Sequence, residues 1–430
     1  MKLSPKQLLM IAGGVFIVLL VGVLIFLNIR PSPKGQSATL TMWGTDGSMV
    51  WDSMIQAYQK LKPSVKVNYV TVGLENYNSL VLEALAAGQG PDVFYISNRE
   101  LPKFWNIISP APSTQFSLVQ LKQYFPDVVR QDFSLNDQVY ALPLYIDTLA
   151  LIYNRSLLNQ AGVSLPPLTW NEFLTDVPKL RSLNPSGQIF RAAAAIGGSK
   201  NSIDTASDIL SLLMMQNGTQ MTSSDHSVAT FASPSQGDPG GTAFNFYLQF
   251  ANAASPYYTW NDDEPPALDS FSGDKAVMIF NYHSALAQIK NKSPFLNFDV
   301  AKMPQPAGAS YRIDYARYTG LSVSRQSRAP SAAWDFVMYL TTNTDNAKTY
   351  LASVNEPPAL LSMIQEEMND PEYSVFATQA LTAQSWYEYN PDKISDVLSQ
   401  AILSVLTGEA SAAKALSQAQ DQVSQIMRGL

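Results

Sequence analysis

The 430-residue chain has no cysteine and only two histidines, His226 and His283. The first absence excludes disulfides, thiol catalysis and cysteine-based zinc sites. The second makes a histidine-rich metal site untenable and leaves a Ser-His-Asp triad only one of two bases, neither of which stands in a nucleophile motif. Nothing calls for a metal or another cofactor. Charge is scarce as well: Asp, Glu, Lys and Arg make up 15% of the residues, against roughly a quarter in an ordinary globular sequence. The net charge of -7 offers no basic footprint for nucleic acid. Without disulfides, stability rests on the packed core.

The chain is rich instead in apolar residues (46%) and aromatics (11%), so it folds, and its length calls for two or more lobes. The run LLMIAGGVFIVLLVGVLIFLNI, Leu8 to Ile29, carries no charge. As a helix it spans about 33 Å, enough to cross the hydrocarbon layer. A cleavable signal has a shorter apolar core and small residues at the cut, and Gln36 lies two before Ala38, so residues 1–30 read as an uncleaved transmembrane signal anchor. Lys2 and Lys6 on one side are matched by Arg30 and Lys34 on the other; the extracellular placement of the remainder rests on the size of the domain that follows. Residues 31–37, PSPKGQS, form a short tether.

The stretch LEALAAGQGPDVFYIS, residues 82–97, has two glycines but not the order of a nucleotide loop, which runs strand, glycines, helix. Here a helix from Tyr77 to Ala87 precedes Gly88 and Gly90, Pro91 blocks its resumption, and Val93 to Ile96 reads as a buried strand. The glycines end a helix. With a strand at Thr39–Trp43, a helix at Met49–Leu61 and a strand at Val65–Val72, the pattern is that of an α/β lobe with a largely parallel sheet. Ligands sit beyond the carboxyl ends of such strands, which directs attention to Trp43, to Asp46 in the loop Gly44–Ser48, and to Asn98 and Arg99 after the third strand.

YALPLYIDTLALIYN, Tyr140 to Asn154, sets Asp147 between two apolar halves. A charge there needs a reason, and a chain leaving one lobe for another supplies it. Helices follow at Trp170–Ser182, Ile203–Gln216 and Gly240–Ala253, a strand at Lys275–Phe280, a strand returning to the first lobe at Tyr318–Ser324, and helices at Pro330–Thr342, Ile394–Leu406 and Ala412–Met427. Trp51, Trp105 and Trp334 fall at packed spacings and read as core. Pro234–Gly241 and Asn261–Pro266 read as the most weakly ordered loops, and the acidic run Asp262–Glu264, which lacks EF-hand spacing, reads as solvated.

Taken together, TMWG, AYQKLKPSVKVNYV, ALAAGQGPDVF, YALPLYIDTLALIYNRSLL, GDKAVMIF and YTGLSVSRQSRAPSAAWDFVMYLTT resemble, in order and over most of the chain after the tether, the extracellular solute-binding proteins of bacterial ABC importers. In particular they resemble the sugar-binding branch to which the maltose-binding protein belongs. The resemblance implies a two-lobed, periplasmic-binding-protein-like type II α/β fold with a hinge. Residues 38–146 and 318–375 would form lobe 1, and 147–317 and 376–430 lobe 2. It implies a monomeric, non-enzymatic receptor that closes on a carbohydrate and delivers it to a membrane permease. Carried over by position, Asn98 and Arg99 match a polar pair that bonds sugar hydroxyls, and Asp147 a carboxylate at the first crossing. Tyr282 and His283 stand where the family places a stacking aromatic, the histidine being a departure; the usual lipoprotein cysteine is missing. Tyr318 and Trp386 complete the candidate ligand contacts. Aromatic faces and planar polar groups are what a pyranose requires. The residues alone leave open the same fold with a peptide, polyamine or phosphate ligand, and a surface glycosidase working with carboxylates.

Overall fold

The computed structural model describes residues 37–234 and 237–429. The apolar run Leu8–Ile29 and all of the tether except Ser37 lie outside the described residues, and among the described residues no helix is long and apolar enough to cross a membrane.

Strand β1 (Ala38–Gly44) leads to helix α1 (Met49–Leu61), β2 (Val65–Thr71), α2 (Tyr77–Ala86) and β3 (Val93–Ser97). In α1 the buried residues Trp51, Met54, Ile55 and Tyr58 recur at i, i+3, i+4 and i+7, the single apolar stripe that binds a helix to a sheet. After α2, Gly88 adopts φ +70°, the left-handed position that ends a helix without a Cβ clash. Gly90 serves closeness instead, since a Cβ there would lie 2.3 Å from Leu85 Cδ2.

Further on come α3 (Asp127–Phe133), β4 (Leu142–Pro143), β5 (Asp147–Thr148), β6 (Ala150–Asn154), α4 (Trp170–Leu180), β7 (Ser182–Leu183), β8 (Ile189–Ala194), α5 (Ala206–Gln216), α6 (Pro239–Leu248), β9 (Ala276–Asn281), α7 (Ser284–Lys292) and β10 (Phe298–Ala301). Helix α4 starts at a capping box in which Thr169 Oγ1 accepts from Glu172 N–H and Glu172 reaches back to Thr169 N–H. Helix α6 is shorter than its apolar pattern predicts. Asn252 and Ser255 divert the chain into turns, with Asn252 Oδ1 accepting from Ala254 N–H at 3.0 Å, the competition that makes asparagine a poor helix interior residue.

The last elements are β11 (Asp314–Arg317), β12 (Thr319–Val323), α8 (Pro330–Thr342), α9 (Thr344–Val354), β13 (Ala383–Gln384), α10 (Pro391–Leu406) and α11 (Ala412–Met427). They complete two five-stranded sheets, ordered β2-β1-β3-β12-β4 and β10-β6-β9-β8-β7, and a three-stranded ribbon, β13-β11-β5. The first sheet is mixed, not largely parallel: β1 pairs parallel with β2 and β3, whereas β12 returns antiparallel to both β3 and β4. That strand re-enters from the other half of the molecule, so no helical crossover dictates its direction.

Each sheet carries its own core. One is built around Leu40, Met42, Val93, Phe94, Trp51 and Trp334, the other around Ile152, Ala194, Met278, Trp260 and Phe173. Residues from 376 to 387 contribute to both, Phe376 and Trp386 to the second core and Ala377, Ala380, Ala383 and Tyr387 to the first. Trp105 is an exception to the expected core tryptophans, being 44% exposed: Leu101 and Phe104 take the inward positions of their short helix, and the next residue is rotated out by about 100°. The acidic loop is also less solvated than expected, because Asp262 Oδ1 accepts from Ser199 N–H and Ser202 Oγ–H at 2.8 and 2.7 Å.

Candidate functional site

The two cores meet at the ribbon β13-β11-β5. Along β11 the side chains alternate: Asp314 bonds on one side to Gln305, Arg312 and Thr382, while Tyr315 and Arg317 stand on the other. There Tyr315 Oη–H donates to Glu388 Oε1 at 3.0 Å. Arg99 Nη1 donates to the same oxygen at 2.9 Å and to Asp208 Oδ1 at 3.1 Å, and Tyr282 Oη–H donates to Asp208 Oδ2 at 2.7 Å. The guanidinium of Arg317 lies over the Tyr282 ring, 3.9 Å from its centroid, a cation–π contact. A loop of the first sheet, a helix of the second and the connecting ribbon are thus joined in one polar floor.

Asp147 pairs with Arg317 in the ribbon register. Its carboxylate is buried and accepts three backbone N–H groups, those of Thr148 (2.8 Å), His283 (3.0 Å) and Ser284 (3.3 Å), so it caps the start of α7. Burial, only partly offset by those bonds and by Arg317, pushes its carboxyl up to about 6. Glu356, in the loop after α9, is held up more strongly, to about 9, by burial first and then by the Asp147 carboxylate; its Oε2 is buried without a hydrogen-bond partner.

Beyond the end of β1, Asp46 is surrounded by tyrosines. Its Oδ2 accepts from Tyr95 Oη–H (2.5 Å) and Tyr350 Oη–H (3.2 Å), and its carbonyl from Tyr69 Oη–H (2.7 Å). Trp51 stacks on Tyr350 at 4.9 Å. Trp43 is half-buried on the first sheet, and its carbonyl accepts from Tyr77 Oη–H.

The residues singled out in the sequence therefore separate. Arg99, Asp147 and Tyr282 come together on the polar floor, and Asp46 acts electrostatically on Glu356 beside it. Asn98 and Tyr318 are sealed from solvent on a different partner: Asn98 Nδ2–H donates to Asp132 Oδ2 at 2.9 Å, and Tyr318 Oη–H donates to the same oxygen at 2.7 Å. His283 gives its backbone N–H to Asp147, but its fully buried ring packs against Tyr373 (4.9 Å) and Phe376 (5.0 Å) with both nitrogens unpartnered. Burial drives its pKa down to about 4, so the ring is neutral. Trp386 donates to Ser211 Oγ at 3.3 Å and lines a separate cavity of about 860 Å³ with Tyr387, His226 and Arg130.

Arg317, Glu356, Asp208 and Glu388 were not singled out by the sequence. A trace exists for Arg317, a charge inside the strand DYAR. Glu356 in NEPP and the other two carboxylates are indistinguishable by spacing from the rest of the 35 acidic residues. Among the described residues no group of three His, Cys, Asp or Glu side chains could hold a metal ion.

A two-lobed α/β molecule with a polar, tyrosine-rich floor where the lobes join is the architecture of a solute-binding receptor. Residues 45–347 match the family of bacterial extracellular solute-binding proteins, and the chain belongs to that family. Its relatives include the maltotriose-binding protein of Pyrococcus abyssi, 24% identical over 75% of this chain and 65% of the relative, and the multiple sugar-binding protein of Streptococcus mutans, 23% identical over 74% and 73%. The sugar-binding protein MalE from Xanthomonas citri superposes with a TM-score of 0.75 at 19% identity, over 90% of this chain and 97% of that one; at such identity the likeness establishes the fold.

Proposed function

We propose that this protein is a receptor that captures a sugar or oligosaccharide between its two lobes and delivers it to the permease of an ABC importer, without chemically altering it. The observation that carries this reading is the polar floor at the lobe junction, with charged and tyrosine groups from both sheets, in a chain whose family members include proteins named for maltotriose and multiple sugars. Carboxylates accept hydroxyl protons and guanidinium groups donate to hydroxyl oxygens, the bonding a saccharide rim demands. Asp46, Arg99 and Asp147 serve as ligand-facing groups, with Trp43 on the first lobe wall; Tyr282, fully buried and bonded to Asp208, supports them from beneath. Asn98, His283, Tyr318 and Trp386 shape the lobe junction around them.

The boundaries set out above for the two lobes belong to this proposal, as does anchoring of a monomer in the cell membrane through residues 1–30 with the remainder extracellular. The test is a thermal-shift series on the full chain in mild detergent with saccharides, peptides and polyamines. A ligand at a hundred times its Kd adds about 2.7 kcal/mol to folding. Stabilisation by a saccharide supports the assignment, whereas stabilisation only by a peptide or polyamine replaces it.

A further inference from the structure

Nearly every polar group at the lobe junction already has a protein partner. Arg99 is shared between Asp208 and Glu388, whose remaining contacts come from Tyr282 and Tyr315. Asp147 accepts three backbone N–H groups, and Asp46 two tyrosine hydroxyls. Apart from Arg99 Nε and the ring nitrogens of His283, which are buried without partners, two groups stand out. Arg317 is solvent-exposed and, among the described residues, makes no side-chain hydrogen bond or ion pair; its guanidinium lies over the Tyr282 ring. Glu356 has a carboxyl oxygen buried with no partner.

Ile146 N–H donates to the Pro357 carbonyl at 3.4 Å, which brings the Glu356 loop against the chain at Asp147, and Arg317 faces Asp147 across the ribbon; both act electrostatically on Glu356. A guanidinium has up to five N–H donors in a planar fork, and a buried carboxyl oxygen left unsatisfied is costly. Completing both takes a ligand with neighbouring groups that accept and donate, and adjacent hydroxyls do so. Added charge of either sign faces a like charge: an ammonium meets Arg317, and a carboxylate meets Asp46 and Asp147.

We propose that Arg317 and Glu356 are ligand-contacting, specificity-determining residues that clamp adjacent hydroxyls of an uncharged saccharide, Arg317 donating to one oxygen and Glu356 bonding its neighbour. This rests on the receptor reading and adds to it the two residues and the charge class of the ligand. Tyr282 supports the clamp from beneath; its ring face is occupied by the guanidinium and is not free to stack on a sugar.

The test is isothermal titration of the full chain in mild detergent with maltotriose, mannobiose, glucosamine and glucuronate, for the wild type and for Arg317→Met, Arg317→Lys and Glu356→Met. A neutral saccharide that binds the wild type should bind the Arg317 variants about tenfold or more weakly, the loss of one charge-assisted bond, and Glu356→Met about two- to tenfold more weakly, the loss of one neutral hydrogen bond, with the melting temperature of each unliganded variant close to that of the wild type at neutral pH. Arg317→Lys keeps the charge but loses the fork, so a loss there as well ties the effect to the paired donors and not to a disturbed fold. Glucosamine and glucuronate should bind more weakly than the neutral sugars. Unchanged affinity in the variants, or tighter binding of a charged sugar, overturns the clamp and leaves the receptor reading standing. If no saccharide binds the wild type, the receptor reading falls, and the clamp with it.

Discussion

Arg99 and Asp208 form a 3.1 Å ion pair with side chains only 12% and 8% exposed, joining the loop after β3 to helix α5 of the other half of the molecule. Glu388, 4% exposed, holds the same Arg99 nitrogen at 2.9 Å. Burial and the neighbouring Asp208 charge push Glu388 up to about 7 despite the arginine. Removing the shared cation strands two carboxylates away from water. Arg99→Met should therefore lower stability by about 3–5 kcal/mol, measured by urea denaturation of the unliganded chain. A loss below 1 kcal/mol would mean that water reaches both carboxylates.

A second network predicts a separation of stability from binding. Asp132 receives Asn98, Tyr318 and Ser385 at 2.9, 2.7 and 2.5 Å, all out of solvent. Tyr318→Phe should cost about 1–3 kcal/mol of stability by leaving a buried carboxylate short of a donor, with saccharide affinity unchanged. A weakened affinity at unchanged stability would place Tyr318 in contact with the ligand.

Stability should fall as the solution is made more alkaline. Asp132 and Asp147 are raised to about 6, Glu388 to about 7 and Glu356 to about 9, burial being the largest cause for each. Between the ordinary carboxylate range and these values the folded chain keeps protons that the unfolded chain has released, so the unfolding free energy declines as pH rises. The melting temperature should drop across about pH 5 to 9, and Glu356→Gln, which has no proton to lose, should flatten the portion above about pH 7. An identical slope in that variant would contradict the account of Glu356.

Gly44, at the end of β1, has no room for a side chain: a Cβ would lie 2.6 Å from the Tyr95 ring and 2.7 Å from Tyr69 Oη. Both tyrosines bond to Asp46. Gly44→Ala should cost about 1–3 kcal/mol by overpacking and loosen Asp46, which thermal denaturation and titration of the ligand would register together.

Much of the fold was legible because its elements carry local marks. Helices α1, α8 and α11 occupy the residues their apolar spacing predicts, and Gly88 ends α2 as its position implied. The mixed sheet was not legible, since an apolar strand such as Tyr318–Ser324 reads the same whichever way it runs. At the candidate site, Asp147 stood out as a lone charge in an apolar run. Arg317 and Glu356 did not, because their significance lies in partners they lack, and that requires knowing where Asp208, Glu388 and Tyr282 point.

The central claim is reversible capture of an intact saccharide. Its most direct measurement is isothermal titration of the full chain with neutral mono- and oligosaccharides, followed by recovery of the sugar and determination of its structure. The account predicts saturable binding and a sugar recovered unchanged. Absence of binding across the saccharides, or recovery of shortened or hydrolysed sugar, would contradict it.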